Sequence, residues 1–190
     1  MSPKPDASAD LDPRVKRTRQ LILEAFHALL EEKGFKALSV QDLAARSGIN
    51  RATFYAHFAD KYALLDHAVR TAFGAEIVKR GLDTHTDGPE NVRSLILIVC
   101  EFLLALERRC AGPHPEFDAL VEGTLRQEIH ALLMGWLAVR RPSAELPATV
   151  ATWAIYGLAT HYSHLKRRPA LETFVSEAYP LVAAGLLPAR

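Results

Sequence analysis

Apolar residues recur at intervals of three and four positions along nearly the whole chain, and this spacing constrains the fold more than any other feature. In residues 15–35, for example, Ile22, Phe26 and Leu29 fall on one side of a helix, with lysines and glutamates opposite. Alternating polar and apolar runs, which would indicate strands, are almost absent. With 190 residues, 49% of them hydrophobic, the chain can bury a core as one or two small domains. The sequence therefore predicts an all-α fold of about nine helices, three short ones followed by a longer bundle.

Stop and start signals mark two short helices near the N-terminus. Ser39 is suited to cap the start of one helix, with Asp42 three positions on as in a capping box, and Gly48 ends it. Only Ile49 and Asn50 precede the next helix, and Asn50 is a good N-cap. Two short helices joined by so tight a turn must cross steeply, which predicts a helix-turn-helix.

The domain boundaries follow from the longer breaks in the pattern. Asp60 is placed to cap a longer helix, and residues 81–91 form a break rich in Gly, Asp, Thr and Pro, near or just before which we expect the junction. We assign residues 1–13 to a disordered tail, 14–60 to a helix-turn-helix domain and 61–190 to a larger helical domain.

Charge is unevenly distributed although the formal net charge is only +1. Residues 14–61 carry nine basic and five acidic side chains, a net +4, whereas the residues after Lys61 carry 13 basic and 14 acidic ones. A local positive excess is modest support for a polyanionic partner. Ordinary solvated helix faces would explain any one of these charges alone.

The cysteines and the most apolar run indicate the cellular compartment of the protein. Cys100 and Cys110 are expected on one helix about 15 Å apart, too far for a disulfide, so both are predicted to be free thiols. The N-terminus lacks the apolar core of a secretion signal. The run at residues 95–106 is interrupted by Glu101 and is too short to cross a bilayer. We expect a cytoplasmic protein without a membrane partner.

The second helix of the predicted helix-turn-helix carries four rings within five positions, Phe54, Tyr55, His57 and Phe58. At 100° per residue Phe54 and Phe58 share one face and belong to the core, whereas Tyr55 and His57 point elsewhere. The predicted outward set is Arg51, Thr53, Tyr55, His57 and Lys61, beside the small Ala52. Such donors suit guanine edges and phosphates in a DNA groove. The alternative is that Tyr55 and His57 pack against a neighbouring helix.

The segment VQDLAARSGINRATFYAHFADKYALL, preceded by TRQLILEAFHALLEEKGF, resembles the DNA-binding domain of the TetR/AcrR family of bacterial transcriptional regulators. The resemblance covers about residues 14–70, and the rest of the chain is similar only in length and helical pattern. It implies a ligand-responsive regulator of double-stranded DNA, with a near-palindromic operator as partner. A repressor is favoured over an activator because blocking a promoter requires only occupancy.

The resemblance also implies a role for each position. Ser39 would cap its helix and touch a phosphate, and Gln41 would reach a base edge. Asn50, Arg51 and Ala52 would read sequence, with the cap and reader roles of Asn50 in competition. Thr53 and Tyr55 would contact backbone or thymine methyls, while His57 and Lys61 would hold flanking phosphates.

Family members are two-fold dimers, which implies a homodimer here. One apolar side of each of the last two helices is the predicted dimer interface, unless both merely complete the core of one protomer. These residues are Ala151, Ala154, Ile155, Leu158 and Tyr162 on one helix, and Phe174, Val175, Ala178, Leu181 and Val182 on the other.

The resemblance further implies an effector cavity among the middle helices. Its candidate lining residues are Cys100, Phe102, His130, Met134 and Trp136, which suggest a largely hydrophobic small molecule, although plain core is the alternative for each.

His161 and His164 lie three apart but lack a nearby Cys or carboxylate on the same helix, so we predict no metal site. No phosphate loop, nucleophile elbow or His-Glu-x-x-His pair is present, so we predict no cofactor and no enzyme. A helical adaptor without DNA binding remains the main rival, with an enzyme of scattered catalytic residues behind it.

Overall fold

A computed structural model describes residues 12–82, 88–109, 115–138 and 143–186. Within them the chain is all-helical, as predicted, and no strand occurs in these ranges. The described residues form eight helices, whereas the sequence predicts about nine for the whole chain. They are α1 (Pro13–Ala37), α2 (Val40–Ser47), α3 (Arg51–His57), α4 (Lys61–Lys79), α5 (Pro89–Arg109), α6 (Pro115–Ala138), α7 (Glu145–His164) and α8 (Leu171–Leu186). The first helix is long rather than short.

The chain divides into two compact units. Of the described residues, the first unit contains 12–65 and Arg109, and the second contains the rest. The division falls inside α4, between Leu65 and Asp66, so the first turn of α4 belongs with the helix-turn-helix and not with the larger unit as the helix pattern suggested.

Helix α1 begins and ends at residues suited to those positions. The side chain of Asp12 accepts a hydrogen bond from the backbone N–H of Arg14 at 2.8 Å, and Pro13 occupies the first turn. Asp12 and Pro13 therefore start a helix, whereas the predicted tail included them; residues 1–11 lie outside the described part. Gly34 interrupts α1 with φ 74° and ψ 164°, a positive φ that costs glycine little.

The core of the first unit is built around α1. Its buried face, Ile22, Ala25, Phe26, Leu29 and Leu30, matches the apolar stripe of the sequence. Leu43 and Ala44 of α2 and Leu64 and Leu65 of α4 are buried in the same unit. The apolar periodicity is thus sufficient to identify this core.

In the second unit α7 packs against both α6 and α8. Its core residues come from every helix, among them Leu95 and Val99 of α5, Leu125 and Ile129 of α6, Ile155 and Ala159 of α7, and Val175 and Val182 of α8. Tyr162 joins α7 to the chain before α8, because its hydroxyl donates to the carbonyl of Pro169 at 2.9 Å and its ring lies 4.8 Å from that of Phe174.

Cys100 is fully buried as a free thiol, and burial raises its pKa to about 12. The prediction for Cys110 lies outside the described residues, and α5 ends at Arg109. No helix in the described part is both long and apolar enough to cross a membrane.

Candidate nucleic-acid interface and the second unit

The turn between α2 and α3 has the local chemistry that the sequence predicts. The Ser39 hydroxyl accepts from the N–H of Asp42 at 3.2 Å, and the Asp42 carboxylate accepts from the N–H of Ser39 at 2.9 Å, which completes a capping box. Gly48 ends α2 in the left-handed conformation, φ 70° and ψ 26°, which costs glycine little. Asn50 then caps α3, so the turn of this helix-turn-helix is three residues long, from Gly48 to Asn50.

Ion pairs fasten α2 to α1. The Arg46 guanidinium pairs with the Glu32 carboxylate through two bonds of 2.8 and 2.6 Å, and this hydrogen bonding lowers the pKa of Glu32. Lys33 lies 2.6 Å from the carboxylate of Asp42. Hydrogen bonds from Lys33 and Ser39 lower the pKa of Asp42 to about 2. Sequence reasoning missed both pairs because the partners are 14 and 9 positions apart.

The rings of α3 separate as predicted. Phe54 and Phe58 are buried, at 0% and 6% exposure, with ring centroids 6.0 Å apart. Tyr55 is 47% exposed and lies outside the buried core, although its ring is edge-to-face with that of Phe54 at 5.7 Å between centroids. The structure therefore assigns two rings to the core and leaves one on the surface.

The outward side of α3 presents polar groups next to small ones. Arg51, Ala52 and Tyr55 are exposed, and the Arg51 guanidinium lies within 3.5 Å of the Tyr55 hydroxyl. Thr53 is half-buried and donates its hydroxyl to the Asn50 side chain at 3.1 Å. Gln41, in the first turn of α2, is exposed as well.

The two capping residues differ in what they can still offer a ligand. The Asn50 amide oxygen accepts from the N–H of Thr53 at 2.8 Å, which leaves the amide nitrogen as a donor, so capping and reading use opposite ends of one group. The Ser39 hydroxyl donates to the Asp42 carboxylate at 2.5 Å. A phosphate contact by Ser39 must therefore compete with that bond.

His57 is half-buried rather than fully outward. Burial, with the charge of Arg19 as a second cause, lowers the pKa of His57. The lowered pKa disfavours the imidazolium form, so His57 is a weaker candidate for a cationic phosphate contact than the sequence predicts.

Lys61 does not point away from the first unit. Its ammonium donates to the carbonyl oxygens of Phe35 and Leu38, each at 3.0 Å, and to that of Lys36 at 3.4 Å. It also lies 4.7 Å from the ring centroid of Phe35. This geometry opposes the predicted phosphate contact, because all three ammonium protons have backbone acceptors. Local sequence patterns do not reveal it, since the partners lie 23–26 positions earlier.

The predicted effector-pocket residues differ in their exposure. Cys100 and Trp136 are buried in the core at 0% and 3% exposure, and Phe102 packs edge-to-face on Phe73 with centroids 5.7 Å apart. Met134 is half-buried. His130 lines a cleft between α6 and α7. An effector pocket at these residues stays a prediction.

An open cleft of about 280 Å³ lies between α6 and α7. Its lining residues are Gly123, Arg126, Gln127 and His130 of α6, and Thr149, Thr152 and Trp153 of α7. We call it the α6–α7 cleft. Its side chains are mostly polar.

The predicted dimer stripe is largely the core of a single protomer. Ala151, Ile155, Tyr162, Ala178 and Val182 are all buried at 4% exposure or less, as is Val175. Ala154, Leu158 and Phe174 are half-buried, and only Leu181, at 72%, is exposed. The alternative reading, that these stripes complete the monomer, is therefore correct for most of them.

Another apolar face of α7 and α8 is exposed. It consists of Leu146, Val150, Gly157, Leu181 and Gly185, and we call it the α7–α8 face. Leu146 is 69% exposed, and a Cβ added to Gly185 would lie 4.0 Å from Val150, which places the two helices side by side. Among the described residues no group of three metal-ligating side chains occurs; His161 and His164 of α7 are exposed.

Residues 22–68, which span the helix-turn-helix, match the family described as "Bacterial regulatory proteins, tetR family". This segment is a TetR-family DNA-binding domain. It is 39% identical over 69 residues to the uncharacterized HTH-type transcriptional regulator YxbF of Bacillus subtilis, a match covering 36% of this chain and 18% of YxbF. Across such curated relatives the chain spans 18–40% of their length.

Solved structures extend the likeness of fold to nearly the whole chain. A TetR-family regulator from Streptomyces coelicolor superposes with a TM-score of 0.65 at 20% identity, over 93% of this chain and 98% of that one. FadR of Bacillus subtilis in complex with stearoyl-CoA superposes with a TM-score of 0.54 at 15% identity, over 87% and 98%.

Proposed function

We propose that this TetR-family protein is a sequence-specific DNA-binding transcriptional regulator. The observation that carries the proposal is the exposed polar side of α3, directly after a capped three-residue turn, with Gln41 of α2 beside the same turn. A helix placed this way can enter a major groove and present its N-terminal residues to base edges. The relatives of the matched segment are named HTH-type transcriptional regulators.

The proposed contacts follow from exposure and remaining hydrogen-bond capacity. Arg51 is the candidate for bidentate reading of guanine, and Gln41 and the amide nitrogen of Asn50 for other base edges. Ala52 permits close approach. Thr53, Tyr55, His57 and Ser39 are candidates for phosphate or thymine-methyl contacts. Lys61 is left out, because its ammonium is occupied within the first unit.

We further propose a homodimer formed through the α7–α8 face. Its exposed leucines and valine are apolar surface that a second copy can bury, and Gly157 and Gly185 allow close approach of helices. Paired across a two-fold axis, two helices from each copy form a four-helix bundle. A dimer is what a near-palindromic operator requires.

Release from DNA by a small-molecule effector completes the proposal, with repression as the outcome of operator occupancy. Support comes from a structural neighbour, FadR of Bacillus subtilis, which was solved with stearoyl-CoA.

The first test is the salt dependence of binding to an arbitrary duplex. A DNA-binding protein loses affinity as salt rises, with a log–log slope of about 0.9 per phosphate contacted. A helical adaptor without DNA affinity gives no binding at about 0.05 M salt. Absence of binding by folded protein, with any effector stripped by unfolding and refolding, would contradict the proposal.

A further inference from the structure

We infer that Glu177 of each chain binds Arg126 of the other chain in the homodimer, and that these two symmetric ion pairs make the protein select a second copy of itself. The inference rests on the proposed homodimer and goes beyond it, because it names a charged contact and a choice of partner. Both residues lie in the second unit.

The guanidinium of Arg126, on α6, has unused hydrogen-bonding capacity. Its buried Nε–H has no acceptor among the described residues, and its Nη2 reaches the Glu122 carboxylate only at 3.4 Å. The side chain is still 27% exposed, so part of the guanidinium is open to an incoming group. Because a guanidinium carries five N–H donors, Arg126 can bind a second carboxylate besides Glu122.

Trp153 holds this guanidinium next to the α7–α8 face. The guanidinium carbon of Arg126 lies 3.9 Å from the indole centroid, and Trp153 is 54% exposed. Trp153 falls between Val150 and Gly157, at the three- and four-residue spacing that puts all three on one side of α7. A second copy that covers the α7–α8 face therefore covers Trp153 as well. Tryptophan and arginine are the residue types that contribute most to binding energy at protein interfaces.

The carboxylate of Glu177 lies on the exposed side of α8. Glu177 precedes Leu181 by four residues, about one helical turn, and both side chains are exposed. Within the described part of the chain, the Glu177 carboxylate forms no ion pair and no hydrogen bond. A charge that a partner covers is unfavourable unless the partner supplies an opposite charge. A dimer through the α7–α8 face therefore requires a cation opposite Glu177.

The packing of α7 on α8 shows where Glu177 lies along the pair of helices. The rings of Tyr162 and Phe174 are 4.8 Å apart, and contacts toward the other end of both helices show that they run in opposite directions. Glu177 comes three residues after Phe174, so it is level with the residues of α7 just after Gly157. A two-fold axis along a four-helix bundle keeps this level, so Glu177 of the second copy meets α7 near Gly157.

Gly157 leaves room for the carboxylate to cross α7. A Cβ added to Gly157 would have nothing outside its own helix within 4 Å, so the surface of α7 is open there. The Arg126 guanidinium lies about one turn away, over Trp153. Glu177 of the second copy can thus pass over Gly157 and bind Arg126. Because a two-fold axis relates the copies, the same contact forms twice in each dimer.

The two ion pairs favour one partner over similar chains. The apolar residues of the α7–α8 face can bind any chain with a similar face, because apolar contact discriminates little between partners. A related chain with a cation in place of Glu177 would instead repel Arg126, and one with an apolar residue there would leave Arg126 without its second carboxylate. The charges therefore favour a second copy of this chain.

The test is charge reversal, followed by sedimentation of the purified full-length chain. Glu177→Arg and Arg126→Glu should each weaken the homodimer by about tenfold or more, because each places like charges together twice. An equimolar mixture of the two variants should form a heterodimer of nearly wild-type affinity, since both of its pairs again join opposite charges. The matched control is Glu172→Arg, because Glu172 is exposed on the opposite side of α8 from Leu181; it should dimerise like the wild type.

A second variant covers the case in which Arg126→Glu does not fold, as circular dichroism would show. The double variant Arg126→Met/Glu177→Arg should then dimerise more tightly than Glu177→Arg, because the repelling cation is gone. A Glu177→Arg chain with the wild-type dimer affinity, a mixture of folded variants that stays monomeric, or a double variant no tighter than Glu177→Arg would overturn the inference and leave the homodimer standing. A wild-type chain that is monomeric at every concentration would overturn the homodimer itself and the inference with it.

Discussion

The ammonium nitrogen of Lys61 lies 3.0 Å from the carbonyl oxygen of Leu38, the residue before the cap of α2. Together with its bonds to the carbonyls of Phe35 and Lys36, the Lys61 ammonium holds the end of α1 and the start of the α1–α2 turn close together. Lys61 is therefore better described as a residue that positions the helix-turn-helix than as a ligand of DNA.

Lys61→Met should reveal this role. It keeps the length of the side chain but removes three hydrogen bonds, of which only the one to Phe35 goes to a carbonyl that also accepts from the N–H of Leu38. We expect the free energy of unfolding of the first unit to fall by about 1–3 kcal/mol. Affinity for every duplex should fall alike, with an unchanged salt slope. Urea unfolding and salt titrations measure both. Lys36→Met, which removes an exposed charge nearby, is the control. If Lys61→Met has wild-type stability and its salt slope is smaller by about one, Lys61 contacts a phosphate after all.

Arg51→Ala should relax base preference at one position of each half-site. Loss of a bidentate guanine contact costs about 1–3 kcal/mol on the preferred sequence and much less on random duplexes. Fluorescence anisotropy with both kinds of duplex gives the comparison. Tyr55→Phe, which removes the hydroxyl near Arg51 but keeps the ring, should have a smaller effect. Equal losses on specific and random DNA would show that Arg51 contacts only the backbone.

The capping box predicts a pH dependence. Because the pKa of Asp42 is lowered to about 2 in the folded protein, its stabilisation is present above the unfolded value near 4 and is lost as pH falls through about 2. Asp42→Ala should therefore be less stable than the wild type at pH 7. The difference in stability between the two proteins should narrow as pH falls from 4 to 2. Thermal unfolding across this range tests it. A gap independent of pH would mean that the carboxylate charge is irrelevant.

Two neighbouring residues of α8 should behave in opposite ways when changed to aspartate. Leu181→Asp should give a folded monomer, since Leu181 is 72% exposed on the α7–α8 face. Val182→Asp should unfold the second unit, at a cost of about 3 kcal/mol or more, since Val182 is buried. Light scattering and circular dichroism distinguish these outcomes. A Leu181→Asp dimer of wild-type stability would place the interface elsewhere.

The features that the sequence predicted correctly are local. The caps at Ser39, Asn50 and Asp60 and the turn at Gly48 depend on groups within three residues, so the pattern of residue types is enough to find them. The separation of Phe54 from Tyr55 likewise follows from helical geometry alone.

The features that were missed depend on residues far apart in the chain. Lys61 meets carbonyls 23–26 positions earlier, and Arg70 meets Gln127 and Glu128 more than fifty positions later. Most residues of the predicted dimer stripe are buried within one protomer for a different reason. The most apolar stripe of α7 and α8 is the one a monomer buries, so the exposed face, with fewer apolar residues, escaped a search for periodicity.

The most direct test of the account is selection of bound duplexes from a random-sequence pool by the purified protein at about 0.15 M salt, with Tyr55→Ala in parallel. The account predicts an inverted repeat whose half-site centres lie about 34–36 Å apart, or a multiple of that, and no such enrichment by the variant. If folded dimer refolded free of ligand enriches no sequence, the chain is not a sequence-specific regulator and the adaptor interpretation is correct.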